Sequence, residues 1–240
     1  MSKIYEAIRK AELERERVRQ ETAHPAARTV DTLPLDAADE EYQKLRASLT
    51  SIAVPSGLHT ILVTAPRHGE GATTVAVGLA SALAKERDAR VLVLEGNLRT
   101  PCLQGLLAAD SEVGVAEYAD GRAAADTLPV RVESLNLSVI TAGAVPSRPL
   151  DLEFLDALLT RLRAQFDFVV IDGPPVNRYA DASVIATKVD GVILVVEADN
   201  TPVVEAEAAK RQLDKVGARI LGVVLNRRRS YIPATLESLL

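Results

Sequence analysis

A glycine-rich turn is the first place where the residue types could do chemistry. It reads PRHGEGA from Pro66 to Ala72, between an apolar run that ends at Ala65 and a helical stretch that begins at Thr73. Such a turn directs backbone N–H groups, and the positive end of the helix dipole, toward a phosphate. The strict pattern GxxxxGK[ST] fails twice, because Pro66 replaces its first glycine and Ala72 replaces its lysine. Two interpretations stay open: a phosphate-binding loop, or a glycine turn required only for tight packing of the helix on the strand.

The turn and the first helical residues supply the candidate nucleotide ligands. Gly69 and Gly71 permit close approach of the backbone, and Thr73 stands where a phosphate-loop hydroxyl holds Mg²⁺. The predicted nucleotide-contacting set is Arg67, Gly69, Glu70, Gly71, Ala72, Thr73 and Thr74.

Two further apolar runs end in a carboxylate. The run FDFVVID ends at Asp172 and is typical of a Walker B strand, whose acid reaches the Mg²⁺ shell beside a phosphate loop. The run VLVLE ends at Glu95. We therefore predict Thr73 and Asp172 as Mg²⁺ ligands, and Glu95 and Asp172 as the residues that would act in catalysis.

The elements that must position these residues alternate between strands and helices. Unbroken apolar runs predict strands that are covered on both faces, and helical stretches separate them. This βαβ rhythm predicts a doubly wound, mostly parallel sheet with helices on both faces and a ligand crevice at the carboxyl ends of the strands. The predicted strands are 60–65, 90–95, 137–141, 168–172, 191–197 and 220–226, and the main helices are 37–54, 73–87, 152–165 and 202–216.

Composition narrows the function classes. The 240 residues carry a formal charge of −5, with 3% aromatic residues and no Trp, so a nucleic acid partner is not expected. A single cysteine, Cys102, excludes an internal disulfide framework. No apolar run approaches the ~20 residues of a membrane helix, and the chain lacks an apolar signal region at its start. We expect a cytoplasmic protein that lies at the inner face of the membrane through a partner, with any direct membrane contact made by its surface.

The predicted organisation has four parts. Residues 1–18 read as an amphipathic helix with a narrow apolar stripe, which is either a solvated helix or a partner-binding one. Residues 19–36 read as a polar linker, residues 37–230 as the α/β domain, and residues 231–240 as a tail.

Taken in order, these segments resemble the bacterial tyrosine kinases (BY-kinases), relatives of the MinD/ParA ATPases. The family pattern SxxPGEGKST is similar to APRHGEGATT at 65–74, and LLIDxDLRxP is similar to LVLEGNLRTP at 92–101. DGPP at 172–175 matches the family's DxPP, and EEYQKLR at 40–46 is similar to its ExxRxxR helix. The resemblance covers nearly the whole chain.

The resemblance implies a P-loop NTPase fold, ATP or ADP with Mg²⁺, and tyrosine autophosphorylation in exopolysaccharide or capsule assembly. It also implies a homo-oligomer that uses Glu40 and Arg46, and a partner in the cytosolic segment of a membrane chain-length (co-polymerase) protein. The family's tyrosine-rich acceptor tail is reduced to Tyr231, the one acceptor candidate.

The chain departs from the family pattern at several functional positions. Ala72 replaces the phosphate-loop lysine, Asn97 replaces the second acid of its motif, and Glu95 stands where the family has aspartate. Three functions follow as hypotheses: a catalytically impaired regulator of polysaccharide assembly, an active tyrosine autokinase or ATPase that uses unusual residues, and a positioning ATPase of the MinD/ParA type. In that last group, a lysine at the position of Arg67 reaches a phosphate across a dimer; here Arg67 is either such a group or a solvated loop residue.

Overall fold

The computed structural model describes residue 35 and residues 39–109, 111–144 and 152–228. The predicted N-terminal helix, nearly all of the linker, and the tail with Tyr231 lie outside the described residues.

Seven strands form one sheet in the order β3-β4-β2-β5-β1-β6-β7. Every neighbouring pair is parallel except β3 and β4, which are antiparallel. Four of the central strands are buried along all or nearly all of their length, which is why their sequences are unbroken apolar runs. The strands are β1 Thr60–Thr64, β2 Val91–Glu95, β3 Val130–Val132, β4 Leu137–Ile140, β5 Phe168–Asp172, β6 Gly191–Glu197 and β7 Ile220–Asn226.

Helices cover both faces of the sheet and bury two apolar clusters. One cluster joins α2 and Leu49 of α1 to one face, and the other joins α5, α6 and α7 to the opposite face. This architecture confirms the predicted doubly wound, mostly parallel α/β fold. The helices are α1 Asp39–Ser56, α2 Ala72–Ala84, α3 Leu103–Leu106, α4 Val115–Ala119, α5 Leu152–Gln165, α6 Asp181–Ala186 and α7 Val203–Lys215.

The first helix docks on the second through a glycine. The Tyr42 ring occupies the space over Gly78, where even a Cβ atom would collide with it. The Tyr42 hydroxyl also donates to the Thr74 carbonyl at 3.4 Å. Through this contact, α1 supports the start of α2, the helix that carries the glycine-rich loop.

No helix in the described ranges has both the length and the apolarity needed to cross a membrane.

Candidate nucleotide and metal site

Three strand ends meet at one crevice. Asp172 at the end of β5 is in register with Val63 of β1 on one side and with Glu95 of β2 on the other. Since β1 leads directly into the glycine-rich loop, that loop and both carboxylates lie at the carboxyl edge of the sheet, where doubly wound folds bind ligands. The structure therefore brings together Glu95, Asp172 and the loop, as the sequence predicts.

The loop has the backbone shape of a phosphate cradle. Gly69 and Gly71 adopt φ values of 88° and 94°, which L side chains rarely adopt. A Cβ on Gly71 would also collide with the Asn226 side chain, which donates to the Glu70 carbonyl at 2.9 Å. Within the described part of the chain, no side chain caps the start of α2. The first N–H groups of this helix are therefore available to an anion.

Glu70 holds the loop in place. Its carboxylate is 2% exposed and accepts hydrogen bonds from the Arg67 backbone N–H at 3.1 Å and from the Thr201 hydroxyl at 2.5 Å. Glu70 therefore has a structural function, in addition to its place in the predicted nucleotide-contacting set.

Arg67 is partly exposed, and its guanidinium is bound by other groups of this chain. Its guanidinium contacts Glu70 at 3.1 Å and Glu205 at 3.4 Å, and it donates to the Asn200 carbonyl at 2.9 Å. Two of these contacts reach beyond the loop: Asn200 lies between β6 and α7, and Glu205 lies in the first turn of α7.

Glu95 is a buried carboxylate whose two oxygens have different environments. Oε2 accepts the backbone N–H groups of Cys102 and Leu103 at 2.9 and 2.8 Å, which fixes the side chain. Oε1 is buried and has no hydrogen-bond partner among the described residues. Burial, and then the charge of Asp172, raise the pKa of Glu95 to about 8, although the backbone N–H groups of Leu103, Cys102 and Asn97 oppose the shift.

Asp172 is the least satisfied group of the site. It is 1% exposed, and neither carboxylate oxygen forms a hydrogen bond of normal geometry within the ranges that the structure describes. Burial raises its pKa to about 7, and the nearby Thr73 hydroxyl lowers it in part. A buried carboxylate with free lone pairs is suited to a cation.

Cys102 is a site residue that the sequence reasoning did not identify. Its thiol lies 3.7 Å from the Thr73 hydroxyl. Three possible ligand atoms lie within 4.8 Å of one another, one each from Glu95, Cys102 and Asp172. Cys102 lies in the connection after β2, seven residues beyond Glu95, and no spacing rule pointed to it. The hydrogen bond from its backbone N–H to Glu95 holds it at the crevice.

Two positions lack the groups of the family pattern. Ala72, the first residue of α2, places a methyl group against the core instead of a charge in the crevice. The amide of Asn97 donates to the Thr100 hydroxyl at 2.8 Å and accepts the Thr100 backbone N–H at 3.3 Å. Asn97 therefore stabilises a turn and supplies no acid to the site.

The predicted assembly residues on α1 have different environments. The Glu40 side chain is 83% exposed and pairs with Lys44 at 3.0 Å. Arg46 is only 29% exposed, because it forms an ion pair with Glu86 at 2.6 Å and donates to Gln43 at 2.9 Å. Through these contacts Arg46 links α1 to the chain that follows α2.

Comparison with known proteins agrees with this geometry. The family profile described as "ParA: NUBPL iron-transfer P-loop NTPase" matches residues 58–238, which defines the class as that of the P-loop NTPases. The tyrosine-protein kinase CpsD of Streptococcus agalactiae is 30% identical over 193 residues, which cover 78% of this chain and 83% of CpsD. The chain belongs to the bacterial tyrosine-kinase family of P-loop NTPases.

Solved structures show the same architecture. The chimerical protein CapA2B2 superposes with a TM-score of 0.75 at 25% identity, covering 90% of this chain and 99% of the chimera. The septum site-determining protein MinD of Pyrococcus horikoshii, complexed with Mg-ADP, superposes with a TM-score of 0.62 at 25% identity, covering 75% of each chain.

Proposed function

We propose that this chain is a catalytically impaired member of the bacterial tyrosine-kinase family that regulates capsule or exopolysaccharide assembly together with a membrane chain-length protein. The observation that carries the proposal is Ala72 at the first position of α2. There, the family pattern has the lysine that neutralises the phosphates.

The remaining residues fit a magnesium nucleotide in part. Thr73 and the unpartnered oxygens of Asp172 have the hard oxygen chemistry that Mg²⁺ prefers. The backbone of the Gly69–Thr73 turn, with its uncapped helix start, suits a phosphate group. When bound, Mg²⁺ would neutralise charge on the phosphates. The chain's own residues would hold the cation and orient the nucleotide, without the lysine charge.

The loss of the lysine has a calculable effect on binding. One hydrogen bond to a charged group contributes about 1.5–3 kcal/mol. At about 1.4 kcal/mol per tenfold change, its absence weakens nucleotide binding about 10- to 150-fold. The contacts of the Arg67 guanidinium with Glu70, Glu205 and the Asn200 carbonyl support a site in which this charge is not replaced.

Phosphoryl transfer to tyrosine is impaired further than nucleotide binding. A tyrosine kinase needs a group that accepts the hydroxyl proton and a hydroxyl that receives the phosphoryl group. Asn97 is uncharged, and both ends of its amide are engaged with Thr100. Tyr231 is the one acceptor candidate in the predicted tail.

The retained carboxylates favour a second candidate, an active autokinase or ATPase. Glu95 keeps an acid at the end of β2, and burial places its pKa at about 8. A raised pKa of this kind suits a general base that works near neutral pH. In this alternative, Glu95 accepts the proton and Thr73 and Asp172 hold Mg²⁺.

The proposed partner is the cytosolic segment of a membrane chain-length protein, as the family resemblance implies. Self-association is proposed to involve Glu40 and Arg46, and the 83% exposure of the Glu40 side chain on α1 makes it accessible to another subunit. Gln43 replaces the middle arginine of the family helix and bonds to Arg46 within the chain. We therefore expect weaker assembly than in relatives that carry both arginines.

Calorimetric titration with ADP and ATP, each with Mg²⁺, tests the proposal. Three proteins are compared: wild type, Ala72→Lys, and Ala72→Met as a control of similar length without charge. We expect Ala72→Lys to bind about 10- to 150-fold more tightly than wild type, and Ala72→Met to bind like wild type. Equal affinities for all three proteins would mean that the loop does not hold a phosphate.

A further inference from the structure

We infer that Glu95, Cys102 and Asp172 form a binding site for a thiophilic divalent transition metal of the Zn²⁺ class. All the protein ligands come from this chain, so the inference does not depend on nucleotide binding.

The geometry fits such an ion. One oxygen from each carboxylate and the Cys102 sulfur lie within 4.8 Å of one another. In a tetrahedral site with bonds of about 2.0–2.2 Å to oxygen and about 2.3 Å to sulfur, neighbouring ligand atoms lie roughly 3.3–3.7 Å apart, so the side chains would move together by up to about 1.5 Å on binding. Cys102 as a residue is exposed to solvent, so an ion has a path of entry, and water can complete the coordination.

The chain holds the ligands in position by hydrogen bonds that the ion would not disturb. Glu95 Oε2 accepts the backbone N–H groups of Cys102 and Leu103, which keeps the thiol beside the carboxylate. Glu95 Oε1 and both oxygens of Asp172 remain available, and all three are buried. In metal sites, hydrogen bonds to groups behind the ligand atoms commonly hold those ligand atoms in place. Here the hydrogen bonds to Glu95 Oε2 have that function, and the remaining carboxylate oxygens could bind the ion.

Charge balance supports the same conclusion. In the described structure, neither carboxylate forms an ion pair with a lysine or arginine side chain. Ala72 removes the lysine that the family pattern places beside them. Two buried carboxylates without a counter-ion are costly, and a divalent cation supplies the missing positive charge.

The thiol determines which cation is preferred. Mg²⁺ takes hard oxygen ligands in octahedral geometry and gains little from sulfur. Zn²⁺ and Co²⁺ combine carboxylate oxygen with thiolate sulfur, and thiolates select for soft or borderline ions. On coordination, the thiol proton passes to solvent and the sulfur binds as thiolate.

Cobalt spectroscopy tests the inference, because Cys102 is the only cysteine of the chain. Metal-free protein, reduced with a non-thiol phosphine, is titrated with Co²⁺. We expect a thiolate-to-cobalt charge-transfer band that saturates at a 1:1 ratio of metal to protein. Zn²⁺ should abolish the band at a similar ratio, while Mg²⁺ in about 100-fold excess should leave it unchanged.

Variants separate a built site from a lone thiol. Cys102→Ser should lose the band and bind Zn²⁺ at least about 10-fold more weakly, and Asp172→Asn should weaken binding similarly. Asp88→Asn, at an exposed carboxylate in the connection before β2, is the matched control and should bind like wild type. Circular dichroism confirms that each variant is folded. Absence of the band in folded wild type, displacement by Mg²⁺, or an unchanged affinity in Asp172→Asn would overturn the inference.

Discussion

Replacing Asp172 by asparagine is expected to stabilise the metal-free protein at pH 8. Asp172 is 1% exposed and its oxygens lack hydrogen-bond partners in the described chain. Because burial raises its pKa to about 7, the carboxylate is ionised at pH 8. A buried ionised carboxylate without partners lowers the free energy of unfolding. Asparagine has a similar shape and carries no charge, so this cost is largely removed.

The magnitude follows from the pKa shift. Burial raises the pKa of Asp172 from 3.8 to about 7. One pKa unit corresponds to about 1.4 kcal/mol, so the ionised side chain costs on the order of 2–4 kcal/mol of unfolding free energy at pH 8. For a chain of this size, 1 kcal/mol corresponds to about 2–4 °C, so the melting temperature of Asp172→Asn should rise by roughly 4–16 °C.

The pH dependence has a definite sign. Because the folded pKa lies above the unfolded one, the native state binds the proton more tightly. The wild type is therefore most stable below the unfolded pKa and loses stability as pH rises toward 7. The advantage of Asp172→Asn should thus be largest at pH 8 and should shrink by about half or more at pH 5.

Thermal unfolding in the presence of a chelator, followed by circular dichroism at both pH values, measures this effect. Asp88→Asn is the control, since Asp88 is 92% exposed and its replacement should change the unfolding free energy by less than about 0.5 kcal/mol. A lower melting temperature for Asp172→Asn than for wild type at pH 8 would refute the reasoning. So would an advantage that is equal at pH 5 and pH 8.

Three further outcomes are expected on the loop and on α1. Gly69→Ala and Gly71→Ala both place a Cβ at positive φ, which should lower the free energy of unfolding by about 1–2 kcal/mol. Of these two variants, Gly71→Ala should have the lower free energy of unfolding in chemical denaturation, by roughly 1–3 kcal/mol, because only its Cβ collides with a neighbour. Equal unfolding free energies would contradict this packing. A double-mutant cycle of Arg46→Ala and Glu86→Ala should give a coupling of roughly 0.5–1 kcal/mol, and a coupling of zero would mean that the pair contributes nothing. Glu40→Ala should weaken self-association in sedimentation without altering the melting temperature, and an unchanged mass distribution would reject its assembly role.

The order of the fold was predictable because the central strands are buried on both faces. β5, β6 and β7 have the predicted bounds, and α5 does as well. β3 was missed because it has three residues at the edge of the sheet, and a single Val-Arg-Val alternation is too short to indicate a strand. Short helices such as α4 were missed because five residues are fewer than two helical turns.

The sequence predicts the position of a site residue that ends a strand. It does not predict the position of a side chain that is set by tertiary contacts. Asp172 and Glu95 end adjacent parallel strands, so sheet topology alone brings them together. Arg67 and Arg46 were read from motif positions, yet both are bound to acids that the sequence does not mark as partners. The position of Cys102 depends on a backbone hydrogen bond to Glu95, which no sequence pattern shows.

The amount of phosphotyrosine on the purified chain tests the proposed loss of kinase activity most directly. Wild type and Ala72→Lys are incubated with ATP and Mg²⁺, and modification of Tyr231 and the other tyrosines is quantified by mass spectrometry. We expect negligible phosphotyrosine in wild type. In Ala72→Lys we expect little gain despite tighter nucleotide binding, since Asn97 and the single tail tyrosine are unchanged. Robust phosphorylation of Tyr231 in wild type would contradict the proposal and favour the active autokinase.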